Sequence, residues 1–379
     1  MRVLALEKGK AMIKKLYVDN FRCLVNFHLD LTANQLWLGD NGTGKSSVVD
    51  LLGKVQQVLD GNSISDIFSV DDLTLWQNKD TQTIGITTTV GEDLYDYELV
   101  IECNRKQRSC RIHKEELKWN GKTFFLFDGR DAHLFRIHRE TEQVEEGTKF
   151  SADWGRSMIP SIAERDDNRP LIQFRQSVGK WLLVRPIPAL MEGLATKETP
   201  QLKLYAQNFA EWYRHTSQEN PRIVYEAWEF LKRVLQGFEE LKLKESGDSR
   251  KLTATFRLHS RDYNISFVDL SEGQRQLILL YVVLCSLKHS HSVLLIDEPD
   301  NFVSLREIQP WLLELQDLCH DAGRQAIIIS HHPEIINRMV DGGEVLFYRP
   351  EGDHTLTKRY PVTDGLTAAE TMARGWDDE

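Results

Sequence analysis

"GDNGTGKSS", residues 39–47, fits G-x-x-x-x-G-K-[ST], the pattern of a phosphate-binding loop. Gly39, Gly42 and Gly44 let successive backbone N–H groups turn inward around an anion, and a helix starting near Lys45 adds the positive end of its dipole. Lys45 then reaches the β- and γ-phosphates, the Ser46 hydroxyl ligates Mg²⁺, and Asp40, Asn41, Thr43 and Ser47 complete the lining. A chance glycine turn would lack the surroundings this motif needs. Here "QLWL" (35–38) reads as a strand running into the loop, and residues 45–58 read as the helix behind it. The expected cofactors are ATP and Mg²⁺. The loop serves many unrelated machines, so the rest of the chain must say which one this is.

"VLLIDEPD" (293–300) is an apolar run that delivers two carboxylates at a strand end. Asp297 is placed to hold the metal's hydration shell, and Glu298, pointing elsewhere, to polarise an attacking water. Without the glycine loop the same residues would pass for a solvated acidic turn. "QAIIISHHPEII" (325–336) is a second buried strand, with His331 directly at its end and His332 reading as a surface residue. "LSEGQRQ" (270–276) lies between loop and carboxylates. There Ser271 can cap a helix whose first turn, with Gly273, presents donors to an anion, although the same residues alone would pass for an ordinary helix cap with a glycine.

In this order the motifs resemble those of the ABC ATPases. The resemblance implies that Ser271, Glu272, Gly273 and Gln274 form the signature that meets the γ-phosphate held by another subunit. It also implies that His331 senses that phosphate. Transport ATPases keep loop and signature close, whereas here a long segment separates Ser46 from Ser271. The opening "VDNFRCL" (18–24), the "SEGQRQ" variant and "DEPDNFVSL" (297–305) resemble the SMC/RecF/OLD-type ATPases (OLD, overcoming lysogenization defect). Among these the likeness is to bacterial stand-alone ATPases of genome maintenance and phage defence. It extends over nearly the whole chain and is specific in 12–58 and 265–340.

From the resemblance, Arg22 of "NFR" becomes a phosphate contact, and Gln77 or Gln82 the glutamine loop. OLD nucleases carry a C-terminal Toprim domain and SMC proteins long coiled coils; neither pattern is found here. The expected machine is an ATP-dependent switch. Two copies would close head-to-tail on Mg-ATP and control a separate effector protein, such as a nuclease, in antiviral defence. The alternatives are a RecF-like ATPase that binds DNA directly and a non-hydrolysing scaffold assembled by ATP.

The expected fold class is α/β: an ABC-type P-loop head with a mixed, mainly parallel sheet, an antiparallel β lobe and a helical insertion. The spacing divides the chain into an N-terminal ATPase lobe (12–149), the insertion (150–240) and a C-terminal ATPase lobe (241–379). Alternating runs between Gln82 and Arg139, broken at Gly91, Asn120–Gly121 and Asp128–Gly129, predict a meander. "LIQFRQSVGKWLL" (171–183), "NFAEWYRHT" and "IVYEAWEFLKRVL" have helical spacing, with Trp212, Tyr213 and Trp228 as candidates for an exposed docking surface. "LKLKESGDSRKLTATFRL" predicts a hairpin turning at Ser246–Asp248.

The net charge of −10 excludes condensation of the whole molecule on DNA or an anionic membrane. The one dense basic stretch, "RKQRSCRIHK" (105–114), reads as a solvated hairpin, and "ETEQVEEG" (140–147) as an acidic loop. Two "EELK" segments (115–118, 239–242) echo a nuclease pattern without its aspartate. Five scattered cysteines, with no C-x-x-C, suggest reduced thiols. No apolar run reaches membrane-spanning length and "MRVLALEKGKAM" lacks signal-peptide character, so the expected location is the cytoplasm. Met12 reads as a natural start, with 1–11 as a loose leader or start-codon artefact.

Overall fold

A computed structural model describes residues 11–138, 141, 143–339, 344–350 and 353–360, apart from the side chains of 321, 334 and 338. The leader reading for residues 1–10, part of the acidic loop and the C-terminal tail from 361 lie outside the described residues. In chain order the strands and helices are β1 (Ala11–Asp19), β2 (Phe27–Asp30), β3 (Asn34–Leu38), α1 (Lys45–Leu59), α2 (Ile64–Ile67), β4 (Thr81–Val90), β5 (Asp93–Asn104) and β6 (Ser109–Trp119). Then come β7 (Lys122–Phe127), β8 (Asp131–Ile137), β9 (Val144–Ser151), α3 (Arg169–Val178), β10 (Trp181–Val184), β11 (Leu194–Ala195), α4 (Phe209–Glu219) and α5 (Pro221–Val234). The last third contains β12 (Phe238–Ser246), β13 (Ser249–Leu258), β14 (Arg261–Ser266), α6 (Glu272–His289), β15 (Val293–Asp297), α7 (Leu305–Ala322), β16 (Gln325–Ile329), α8 (Pro333–Met339), β17 (Glu344–Tyr348) and β18 (Leu356–Arg359).

The described residues form two compact units, one drawn from within 1–32, 39–181 and 345–359, the other from within 33–38, 182–344 and 360. The first unit is built on an eight-stranded sheet in the order β2-β1-β4-β5-β6-β7-β8-β9. Its neighbours pair antiparallel. Burial alternates residue by residue along β1, β4 and β5, as a sheet with one covered face requires. Phe174 of α3 packs on that face, its ring 5.8 Å from Tyr95 and 5.3 Å from Tyr97. The predicted meander is present, with left-handed backbone at Gly91, Asn120 and Gly121 where the turns need it.

Two sequence readings are resolved in this unit. Basic residues of 105–114 lie against acids: Arg105 on Asp80, Arg108 on Asp71, Arg111 on Glu102, and Lys114 on Glu98 and Glu116. That is a solvated hairpin with its charge locally neutralised. The thiol reading needs correction, because Cys103 and Cys110 form a disulfide. They face each other across the β5–β6 ladder, Cα atoms 4.0 Å apart, a proximity set by strand register that a spacing argument cannot see.

In the second unit β10, β15, β16 and β3 are neighbours in that order. β15 pairs parallel with β16, and β16 parallel with β3. β15 and β16 are buried at every position, which is why they read as unbroken apolar runs. The side chains from Gln276 to Leu287 of α6 are all buried. β12 and β13 form the expected hairpin, with β11 and β14 also pairing to β13.

The run "LIQFRQSVGKWLL" is not one helix. α3 stops at Val178 and Trp181–Val184 is a strand, buried throughout. A short apolar run flanked by Gly179 fits either element, and sheet burial decides. The docking aromatics are corrected as well. Trp212 and Tyr213 are core residues at 0% and 1% exposure, and half-buried Trp228 donates its Nε1–H to the Tyr213 hydroxyl at 3.1 Å. On an amphipathic helix such rings serve packing first.

Candidate functional site

The glycine loop belongs to the first unit, where its shape is set by tight contacts. Gly44 caps α1 with φ +101° and no side-chain cap, leaving the helix start open to an anion. A Cβ on Gly44 would stand 2.6 Å from Thr355 Oγ1 and 2.9 Å from Cys23 Sγ. One on Gly39 would meet the Phe347 carbonyl oxygen at 2.0 Å. Both positions therefore exclude every residue but glycine. The Thr355 hydroxyl also donates to the Thr43 carbonyl at 2.9 Å. Cys23, Phe347 and Thr355 are thus support residues that sequence reasoning missed. The last two lie some 300 positions downstream, and no local pattern marks them.

Lys45 is 6% exposed, and its ammonium donates to the carbonyls of Gly39 (2.5 Å) and Asp40 (2.9 Å) and to Thr43 Oγ1 (3.3 Å). It is held over the loop, where a phosphate would be met. Asp40 and Asn41 are exposed at the loop tip, Ser46 and Ser47 are half-buried in the first turn of α1, and the Cys23 thiol lies 3.9 Å from Ser47 Oγ. Glycine contacts, an uncapped helix start and a buried ammonium together suit a nucleotide's phosphates.

Arg22 has left-handed backbone (φ +51°) and sits on two carboxylates, Asp50 at 2.5 Å and Asp72 at 3.5 Å. Its side chain is partly exposed at 37%. Of the two glutamines, Gln82 is fully buried and its amide donates to the carbonyls of Asn20 and Asp72. Gln77 lies on the loop beside exposed Leu75 and Trp76, and its shielded Oε1 has no hydrogen-bond partner. The Gln82 Oε1 is likewise buried without a hydrogen-bond partner, so the two glutamines stay equal candidates.

The second unit holds the other motifs. Ser271 caps α6 through a reciprocal box: its Oγ accepts from the Gln274 N–H, and Gln274 Oε1 accepts from the Ser271 N–H. Glu272 contributes an acid to the first turn. Gly273 passes so close to Phe302 that a Cβ would stand 2.6 Å from its carbonyl oxygen.

Asp297 ends β15 at 3% exposure, with the Arg185 guanidinium 3.5 Å away. Glu298 leaves the strand in the left-handed region (φ +52°), its N–H donating to the Ile329 carbonyl and its Oε2 accepting from Asn301 Nδ2 at 2.7 Å. Non-glycine backbone in that region is costly. Ser330 follows β16, fully buried, and donates to Asp300 at 2.8 Å. His331 comes next and is exposed, while His332 is half-buried.

Among the described residues no group of three or more His, Cys, Asp or Glu could hold a metal alone. No described helix is long and apolar enough to cross a membrane.

Residues 194–337 match the family model described as "AAA domain, putative AbiEii toxin, Type IV TA system". No curated protein matches the chain in sequence. Among solved structures, the Smc head bound to the C-winged helix domain of ScpA aligns with a TM-score of 0.53 at 13% identity, covering 92% of this chain and 97% of that one. The Smc head with an extended coiled coil, bound to the C-terminal domain of ScpA from Pyrococcus furiosus, gives 0.52 at 12% identity over 97% and 99%. The fold is that of an ABC-type P-loop ATPase head as found in SMC proteins. The likeness to these structures is one of fold, and the family model matches about a third of the chain.

Proposed function

We propose that this chain is a cytoplasmic, slowly hydrolysing ATPase of the SMC/OLD type. Two copies would close head-to-tail around two Mg-ATP, and the closed pair would control a separate effector protein in bacterial antiviral defence. The observation that carries the reading is the signature. Ser271 uses its own side chain to cap α6, and Gly273 is pressed against backbone, so the first turn of α6 is held rigid. A rigid helix start of this kind is an anion site looking for a phosphate.

Each residue then has a role. The loop from Gly39 to Ser47 wraps the phosphates, with Lys45 on the terminal ones. Ser46 and Asp297 would hold Mg²⁺, which when bound would supply positive charge to the transferred phosphoryl. Glu298 accepts the proton of the attacking water. His331, exposed after β16, reports the γ-phosphate, and Arg22 joins the phosphates by leaving Asp50. Gln77 or Gln82 would link the segment after α2 to the same event.

The RecF-like alternative needs a DNA-binding surface, and the paired charges of 105–114 speak against that stretch supplying it. The scaffold alternative predicts nucleotide-dependent assembly without turnover.

Subunit mixing tests the proposal. Lys45→Ala and Ser271→Arg should each be inactive alone. Mixed, they form heterodimers in which one site combines an intact loop with an intact signature, and ATP hydrolysis should partly return. Absence of any recovery, with both variants folded, would contradict a shared site.

A further inference from the structure

The contact between Arg185 and Asp297 is not explained by the roles above. Asp297 is a carboxylate at 3% exposure, where a neighbouring cation offsets part of the cost of burying its charge. Arg185 Nε lies 3.5 Å from its Oδ2. The root of Arg185 is fixed on both sides. Its N–H donates to the Leu204 carbonyl at 2.7 Å, and Pro186 restricts its backbone to extended conformations. β10 and β15 are neighbours in the sheet, so the residue after one strand is delivered beside the last residue of the other. The side chain itself is 42% exposed, and 3.5 Å is long for a charge-assisted hydrogen bond. Such a contact can orient a carboxylate and still be displaced.

We infer that Arg185 is a positioning residue that orients the Asp297 carboxylate before the metal arrives and competes with Mg²⁺ for it. The inference rests on the reading of Asp297 as a metal anchor. It adds that the affinity for Mg²⁺ is set partly by a cation of the protein. Displaced, the guanidinium moves toward solvent, which its exposure permits.

The test is a MgCl₂ titration of protein bound to a fluorescent, non-hydrolysable ATP analogue, starting in EDTA, for wild type, Arg185→Gln and Arg185→Lys. Gln removes the competing charge, and the Mg²⁺ midpoint should fall roughly two- to fivefold, the range of a half-solvated ion pair. Lys keeps a cation there and should stay near the wild-type midpoint, which also guards against misfolding of the Gln variant. Analogue binding in EDTA should be the same for all three. An unchanged or raised midpoint in Arg185→Gln overturns the inference. So does weaker binding in EDTA, which would make Arg185 a phosphate ligand. A wild-type protein whose nucleotide binding ignores Mg²⁺ would instead sink the metal role of Asp297 beneath it.

Discussion

The carbonyl oxygen of Phe302 occupies the place where a side chain on Gly273 would have to begin, 2.6 Å from the position of its Cβ. Phe302 is itself left-handed (φ +68°), so the turn after Glu298 is bent to press its backbone on the start of α6. Gly273→Ala must displace one or the other. Overpacking of this kind costs about 1–3 kcal/mol. If that displacement falls on the signature turn, nucleotide-driven self-association should weaken by roughly tenfold or more. Sedimentation with a non-hydrolysable analogue measures it, and binding of the analogue to the monomer should be unchanged.

The glycine loop makes a parallel prediction in the other unit. Gly44→Ala meets both a positive φ of +101° and the Thr355 hydroxyl. The backbone term alone is about 1–2 kcal/mol, and the overlap adds to it. Analogue binding should fall by roughly tenfold or more, and the melting temperature should fall with it. Intact binding in a folded Gly44→Ala protein would mean that the loop does not hold phosphate in the form described.

Glu115 gives a pH signature. It is buried between the Tyr97 hydroxyl (2.8 Å) and Ser157 Oγ (2.7 Å). Burial pushes its pKa up to about 7, against the pull of those two donors. A carboxyl whose folded pKa is raised gives stability that is fully present below its unfolded value of 4.5 and is lost as pH rises through about 7. The full effect is on the order of 3 kcal/mol at most. Glu115→Gln removes the titration, so its melting temperature relative to wild type should climb between pH 4.5 and 8. A difference that stays flat across that window would show that Glu115 does not titrate there.

Much of this was legible in the sequence, for identifiable reasons. β15 and β16 announce themselves because strands covered on both faces tolerate only apolar residues. The meander was readable because its turns need Gly and Asn where φ is positive. The Ser271 cap could be read from a four-residue pattern. What stayed hidden depends on contacts distant in sequence. Thr355 and Phe347 shape a loop 300 residues earlier, Cys103 and Cys110 meet only through strand register, and Arg185 reaches Asp297 because β10 and β15 are neighbours. Trp181–Val184 is ambiguous in sequence because a short apolar run fits helix and strand equally. Trp212 and Tyr213 look like surface aromatics only when the helix is considered without its core.

The central claim is that ATP closes two copies of this chain and that Glu298 reopens them by promoting hydrolysis. Glu298→Gln keeps the side chain's size and its amide can still meet Asn301, while Lys45, Ser46 and Asp297 are untouched. Turnover should fall by roughly two orders of magnitude or more, with ATP binding retained. Size-exclusion chromatography with light scattering, run on this variant with Mg-ATP, is the direct measurement. The account predicts a stable dimer with ATP and a monomer with ADP; a monomer under both conditions, from protein shown to bind ATP, would contradict it.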